Sequence, residues 1–393
     1  MRLCMPSYSP LKLGLGLTVL VVALWWVMPP QSLQIVDEKA YFEQAYALAH
    51  GRIYTEFDLA TNRTGYEPKH YPLGTALWMA PGIKLFGRIG AFLTVLLAWL
   101  GAAFILYRVI DQRYQTGIAV FALLAFPPAI IMSRHLMSEL PGMFFIALWV
   151  AGLIQMEKSP SARLAFSMGL LSWLGLCFRE TNLLLTLPWF IVYGWQRQPH
   201  WPWLLPGGML GLGVRLFTSH WAYGSPFYLK DPGVAFSLAY LPSNLPVYLI
   251  GLLLFLPAGL WVAWQYRGGY AWRPLYIGMV LYVGAYLCYG YSGNHDGFVK
   301  SLALGLRYLI PTLPLFVLFY ARYMQKHPFF TSSKSSLSIS LATALLITTG
   351  YYIDHQYDKK QLNLRQTLVN AGYDVCARPE WDEHCSHFYL PHQ

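Results

Sequence analysis

The apolar positions of this chain come in long runs rather than at every third or fourth place. The first run, Leu11 to Met28, reads "LKLGLGLTVLVVALWWVM". Others of about 16 to 22 residues lie near 88–109, 116–133, 140–156, 163–180, 182–196, 201–217, 245–264, 274–291, 306–323 and 337–353. Helices are the natural form for such runs, because a helix satisfies its own backbone polar groups where water is absent. The pattern predicts an all-α polytopic membrane protein with about eleven transmembrane helices. Residues 72–86 break the rhythm. They are short for a span, hold Pro72, Pro81 and Lys84, run straight into Arg88, and so read as a helix lying in the outer interface. The first run ends in Trp25, Trp26, Met28, Pro29 and Pro30, which offer no small-residue cleavage site, so it reads as a retained helix rather than a signal peptide.

Composition agrees with this class: 56% of the 393 residues are hydrophobic and 12% charged. Charge then orients the chain. An inside N-terminus puts Arg108, Arg113, Lys158, Arg163, Arg197, Arg267, Arg273, Arg322, Lys326 and Lys334 in inside loops, against Asp111 and Glu157 alone, which satisfies the positive-inside rule. The net charge of +10 is then mainly a topology signal, and no nucleic-acid partner is needed to explain it. The outer face receives the first loop (31–71), loops near 218–244 and 292–305, and short turns at 134–139 and around Arg179. The expected organisation is one transmembrane domain, 1–353, followed by an extracytoplasmic tail, 354–393, too short to bury a core of its own.

Of the five cysteines, Cys4, Cys177 and Cys288 lie in or beside apolar runs and read as small buried residues. Cys376 and Cys385 lie together in the outer tail and are expected to form a disulfide, a metal site with His384 or His387 being the alternative.

Ionisable residues gather on the same outer face. "DEKAYFEQAYALAHG" reads as a short helix with Asp37 as N-cap and Gly51 at its end, so that Asp37 and Glu38 are either a cap and a solvated acid or part of a site. Lys69 and His70 precede the interfacial segment, at a depth where a cation meets lipid phosphate or a substrate's phosphate. "SRHLMSELPG" places Arg134, His135 and Glu139 at one outer turn, and "LCFRETN" places Arg179 and Glu180 at another. Arg307 and Tyr308 begin a helix bent by Pro311 and Pro314. Singly these are interface anchors; converging, they are a candidate site.

Taken in order, "DEKAYFEQAYALAHG", "HYPLGTALWMAPGIKLFG", "HLMSELPG", "YGSPFY" and "GLRYLIPTLPLF" resemble the GT-C superfamily of membrane glycosyltransferases, the class of protein O-mannosyltransferases and the lipid A aminoarabinose transferase. The resemblance spans about 10–325. It implies a GT-C fold, and an inverting transfer of a sugar from a polyprenyl-phosphate-linked donor to an envelope glycolipid, polysaccharide or protein. It also implies residence in the lipid bilayer of a bacterial inner membrane, with the site facing the periplasm or exterior. Asp37 would be the catalytic base and Glu38 the second acid of the pair. Lys69 or His70, Arg179 and Arg307 would handle the carrier phosphate, and Glu139 would be the acid of the second outer turn; Arg134 and Tyr308, read from the outer-face cluster, are expected as further substrate-binding positions. No nucleotide cofactor is implied, and a divalent metal is left open. The tail of about 40 residues departs from members with a large soluble C-terminal domain, which leaves the acceptor open. A polysaccharide or lipid transporter or flippase is the competing class, but its usual marks, paired repeats and midplane ionisable groups, are missing from the sequence.

Overall fold

A computed structural model describes residues 10–52, 57–58, 63–64, 71–227, 236–266, 272–290, 301–302, 304–327 and 332–371. The apolar runs become helices α1 (Pro10–Val27), α3 (Gly74–Tyr114), α6 (Glu139–Lys158), α7 (Ala162–Leu174), α8 (Asn182–Trp195), α9 (Leu204–Tyr223), α10 (Leu241–Phe255), α12 (Trp272–Leu287), α13 (Leu313–Lys326) and α14 (Ser333–Asn370). Between them lie α2 (Val36–Ala49) and three short pieces, α4 (Phe121–Leu124), α5 (Pro127–Met132) and α11 (Gly259–Gln265). The β-structure among the described residues is a minimal antiparallel ladder, Phe57–Asp58 against Arg63–Thr64, and one isolated bridge, Phe236 to Tyr289. The chain is an all-α polytopic membrane protein. Among the described residues, four helices are both long and apolar enough to cross a bilayer: Gly74–Tyr114, Glu139–Lys158, Leu238–Phe255 and Lys334–Leu364.

Several runs that read as single spans are broken, each at proline or glycine. Residues 116–133 hold a 3₁₀ turn, α4 and α5, separated where Phe126 takes an extended conformation (ψ 109) ahead of Pro127 and Pro128. Residues 245–264 are interrupted between α10 and α11, where Ala258 has φ 58. Pro311 lies in the 3₁₀ stretch Gly305–Thr312, which leads into α13 and carries Arg307. The sharpest break is in α3. Gly87, at φ 60 and ψ −145, joins two helical arms, 74–86 and 88–114, in a conformation that residues with a Cβ avoid. The arms then fold back on each other: the Trp78 indole N–H donates to the Thr94 carbonyl at 2.9 Å, and a methyl on Gly82 would stand 2.4 Å from the Gly90 carbonyl oxygen. The separate helix expected at 72–86 is therefore present as an arm laid along the following helix.

Helices α7 and α9 pack backbone to backbone, as helices do in lipid where small residues replace a hydrophobic driving force. A Cβ on Gly169 would meet the Leu204 carbonyl oxygen at 2.2 Å, and one on Gly207 the Phe166 carbonyl oxygen at 2.0 Å. Gly207→Val must push the helices apart and is expected to cost about 1–3 kcal/mol, read as a lower thermal midpoint of the purified protein.

The C-terminal end differs from expectation. The helix that was to stop at 353 runs on as α14 to Asn370. Asp354 and Asp358 explain the continuation, since residues four apart share a helix face and both are buried against the rest of the protein. α14 also packs against α1 and α5.

Candidate active site

Helix α2 sets the site by turning its two adjacent acids in different directions. Its N-cap is Ile35, so Asp37 is the second helical residue and not the expected cap. Capping falls to Glu38, whose Oε2 accepts from the backbone N–H of Gln34 at 2.7 Å and of Ile35 at 2.9 Å. Successive helix positions lie about 100° apart around the axis, so a fully buried Glu38 leaves Asp37 facing elsewhere. Asp37 keeps a side chain 33% exposed, which makes it the accessible carboxylate of the pair.

Around Asp37 stand groups from five distant segments. The Tyr71 hydroxyl donates to Asp37 Oδ1. Burial, and then the Asp37 charge, push this phenol well above its ordinary pKa range, so it stays a proton donor. Arg307 Nη2 lies 3.9 Å from Asp37 Oδ2, and Arg307 Nε lies 3.5 Å from Glu139 Oε1. The same Glu139 oxygen is 2.7 Å from Arg179 Nη1. Glu139 begins α6 and is fully buried, so it acts as a fixed counter-ion that holds two guanidinium groups side by side. Tyrosines complete the wall. Arg179 Nη2 donates to the Tyr286 hydroxyl at 3.0 Å, Arg307 Nη2 donates to the Tyr308 hydroxyl at 3.0 Å, and the Tyr286 and Tyr308 rings stack at 4.7 Å. Both guanidinium carbons sit 5.0 Å from the Tyr308 ring centroid, within cation–π range.

Glu38 and Arg134 belong to a different structure, and neither reaches this cluster. Glu38 Oε2 lies 3.0 Å from His135 Nδ1, and Glu38 Oε1 accepts the Leu136 N–H at 2.7 Å. His135 Nε2 meets Asp354 Oδ1 at 3.1 Å, while Arg134 binds the other Asp354 oxygen through Nε and the Met28 carbonyl through Nη1. Arg134, expected to bind substrate, is thus held in a buried ion pair, and Glu38, expected to be catalytic, in a helix cap and tie, both apart from the Asp37 cluster. Burial alone would discharge His135, but Glu38 and then Asp354 outweigh it and push its pKa up to about 10. An unfolded histidine titrates near 6.5, so the stabilisation from this charge is complete below about pH 6.5 and is lost as pH rises through about 10. The thermal midpoint is expected to fall between those values in the wild type, and to fall less in His135→Gln.

Of the positions singled out in the sequence, the structure therefore brings together Asp37, Glu139, Arg179, Arg307 and Tyr308, and sets Glu38 and Arg134 apart. Lys69, His70, Cys376 and Cys385 lie outside the described residues. Cys177 is a buried free thiol and Cys288 a half-buried one. Tyr71 and Tyr286 escaped the sequence reading because a tyrosine near a span end looks like any aromatic-belt residue. Among the described residues no three His, Cys, Asp or Glu side chains converge as a metal would require. The cavity between the far ends of α6 and α8, lined by Glu157, Trp189 and Tyr193, lies away from Glu139 and Arg179 and takes no part in this cluster.

No protein-family model matches the sequence, and no curated protein is similar enough in sequence to match it. Solved structures do match. The crystal structure of ArnT from Cupriavidus metallidurans bound to undecaprenyl phosphate aligns with a TM-score of 0.57 at 14% identity, over 96% of this chain and 75% of that one. The same protein in its apo state aligns at 0.53 and 15% identity with the same coverage. The fold is that of ArnT. This likeness agrees with the fold class expected from the loop motifs. The ArnT likeness covers nearly the whole chain.

Proposed function

We propose that the chain is an inverting glycosyltransferase that moves a sugar from a polyprenyl-phosphate-linked donor to an envelope glycolipid, polysaccharide or protein at the outer face of the membrane. The observation that carries this reading is the half-exposed Asp37 carboxylate beside the Arg307–Glu139–Arg179 array, in a fold shared with a protein solved with undecaprenyl phosphate. Asp37 removes the acceptor hydroxyl proton as that oxygen attacks the anomeric carbon. The bond from that carbon to the phosphate oxygen breaks, and the lipid phosphate leaves with the bonding electrons. Attack from the face opposite the leaving group inverts the anomeric centre. Arg307, nearest the base, is placed to meet the charge that develops on the phosphate.

Asp37, Glu139, Arg179 and Arg307 sum to zero formal charge, so they hold no surplus cation for a phosphate that arrives charged. That surplus is assigned to Lys69 and His70, which precede Tyr71 directly in the chain. The positive-inside count supports a site facing the periplasm or exterior of a bacterial inner membrane, and with it a Cys376–Cys385 disulfide in that oxidising compartment. Deleting the gene tests the reading: one envelope glycan should lose a sugar while its polyprenyl-phosphate-linked donor accumulates. Unchanged glycans together with an unchanged donor pool would remove it.

A further inference from the structure

The four buried charges of Glu38, His135, Asp354 and Arg134 join three parts of the chain that are remote in sequence: the first turn of α2, the outer turn before α6, and the C-terminal helix α14. Both imidazole nitrogens of His135 face carboxylate oxygens, so the ring donates from both only when it is doubly protonated. Arg134 takes the second Asp354 oxygen, and the four formal charges cancel, which is how a buried ionic group is tolerated. Arg88, at the start of the second α3 arm, acts electrostatically first with Asp358 and then with Glu38.

Glu38 is held by four donors, the N–H groups of Gln34, Ile35 and Leu136 and His135 Nδ1, which tie the first turn of α2 to the turn before α6. We propose that His135 and Asp354 are positioning residues for the base: they fix Glu38, and through the single peptide that joins it to Asp37 they aim the Asp37 carboxylate at the Arg307 side of the site. The inference rests on the transfer reading above. A rotation of α2 by about 10° carries a carboxylate on its surface by roughly 1 Å, and a displacement of that size at a reacting group costs on the order of 10²-fold in rate. The Asp354 turn of α14 is thereby a support for the site, although it touches no substrate.

Asp358, one turn further along α14, supplies the internal control. It accepts from the Ser32 hydroxyl and from the Gln31 N–H at 2.8 Å, tying down the loop before α2 without touching the helix turn itself. A purely structural role for α14 would make Asp354 and Asp358 equivalent in their effect on turnover.

The test uses the purified full chain in detergent, with Asp354→Asn, His135→Gln and Asp358→Asn compared for donor kinetics and for hydrogen exchange along α2. Asp354→Asn and His135→Gln are expected to lower kcat by about 10- to 100-fold, with KM for the polyprenyl-phosphate-linked donor changed less than about threefold. Exchange at residues 36–39 should rise about tenfold while α6 stays protected. Asp358→Asn should keep kcat within about twofold. Should Asp354→Asn fail to fold, Asp354→Glu retains the charge, moves the carboxylate, and is expected to show the same split between kcat and KM. Wild-type kcat in folded variants overturns the positioning role, as does unchanged exchange at 36–39. If the wild type transfers no sugar from any such donor, the transfer reading fails, and the exchange data decide by themselves whether α14 holds this turn.

Discussion

Asp37→Asn is expected to reach the membrane and fold like the wild type while losing about 10²- to 10⁴-fold in turnover, the usual contribution of a positioned general base. Stability should hold because Asp37 does not cap α2: Glu38 does, and an amide of the same shape still offers Tyr71 an oxygen to donate to. What the substitution removes is the basicity of the one accessible carboxylate at this position. Glu38→Gln should behave in the opposite sense. Its new NH₂ group would have to face donors in a site with no exposure, and the buried His135 would lose a counter-ion, a change in the range of about 3–5 kcal/mol. From the motif resemblance, Glu38 would be the milder of the two changes. With Glu38 buried as a cap and tie, its change is expected to be milder for chemistry and more damaging to folding, so expression level and specific activity, measured together on both variants, separate the two roles.

Arg307→Lys carries the second large effect. Lysine preserves one positive charge beside Glu139, so the variant should fold, whereas alanine would strand that carboxylate with Arg179 alone. The ammonium cannot reproduce a planar fork that reaches Asp37, Glu139 and Tyr308 together. Removing a donor aimed at charge that develops in the transition state costs about 10²- to 10³-fold in kcat. Fluorescence-detected size exclusion of the variant should match the wild type, and single-turnover transfer should show the loss. Wild-type turnover in Arg307→Lys would leave Arg307 as a counter-ion to Glu139.

The helical class was legible in the sequence because long apolar runs have few alternatives in lipid, and the ionic site because charges at span ends cluster on one face. Asp37, Glu139, Arg179 and Arg307 were each visible as an ionisable residue next to an apolar run. Their partners were less visible. Tyr71 and Tyr286 carry no pattern that distinguishes a site tyrosine from an interfacial one. The fate of Glu38 and Arg134 depended on Asp354, which a hydropathy window assigns to the residues beyond a span. A signal for it was nonetheless present: Asp354 and Asp358, four apart in "YYIDHQYD", mark one helix face that continues past the apolar run. The breaks at Phe126, Gly87 and Ala258 show the other limit. Proline and glycine advertise a break, but only packing decides whether the chain kinks, unwinds or folds back, as it does where Gly82 and Gly90 touch.

The central claim is that Asp37 drives transfer from a lipid-phosphate donor. It is tested most directly by incubating the purified protein with polyprenyl-phosphate-linked sugars from the host membrane together with delipidated envelope glycan, and measuring the free polyprenyl phosphate released. The wild type should release it in step with sugar appearing on the acceptor, and Asp37→Asn, equally folded, should release about 10²-fold less or lower still. Equal release by the two proteins would contradict the account.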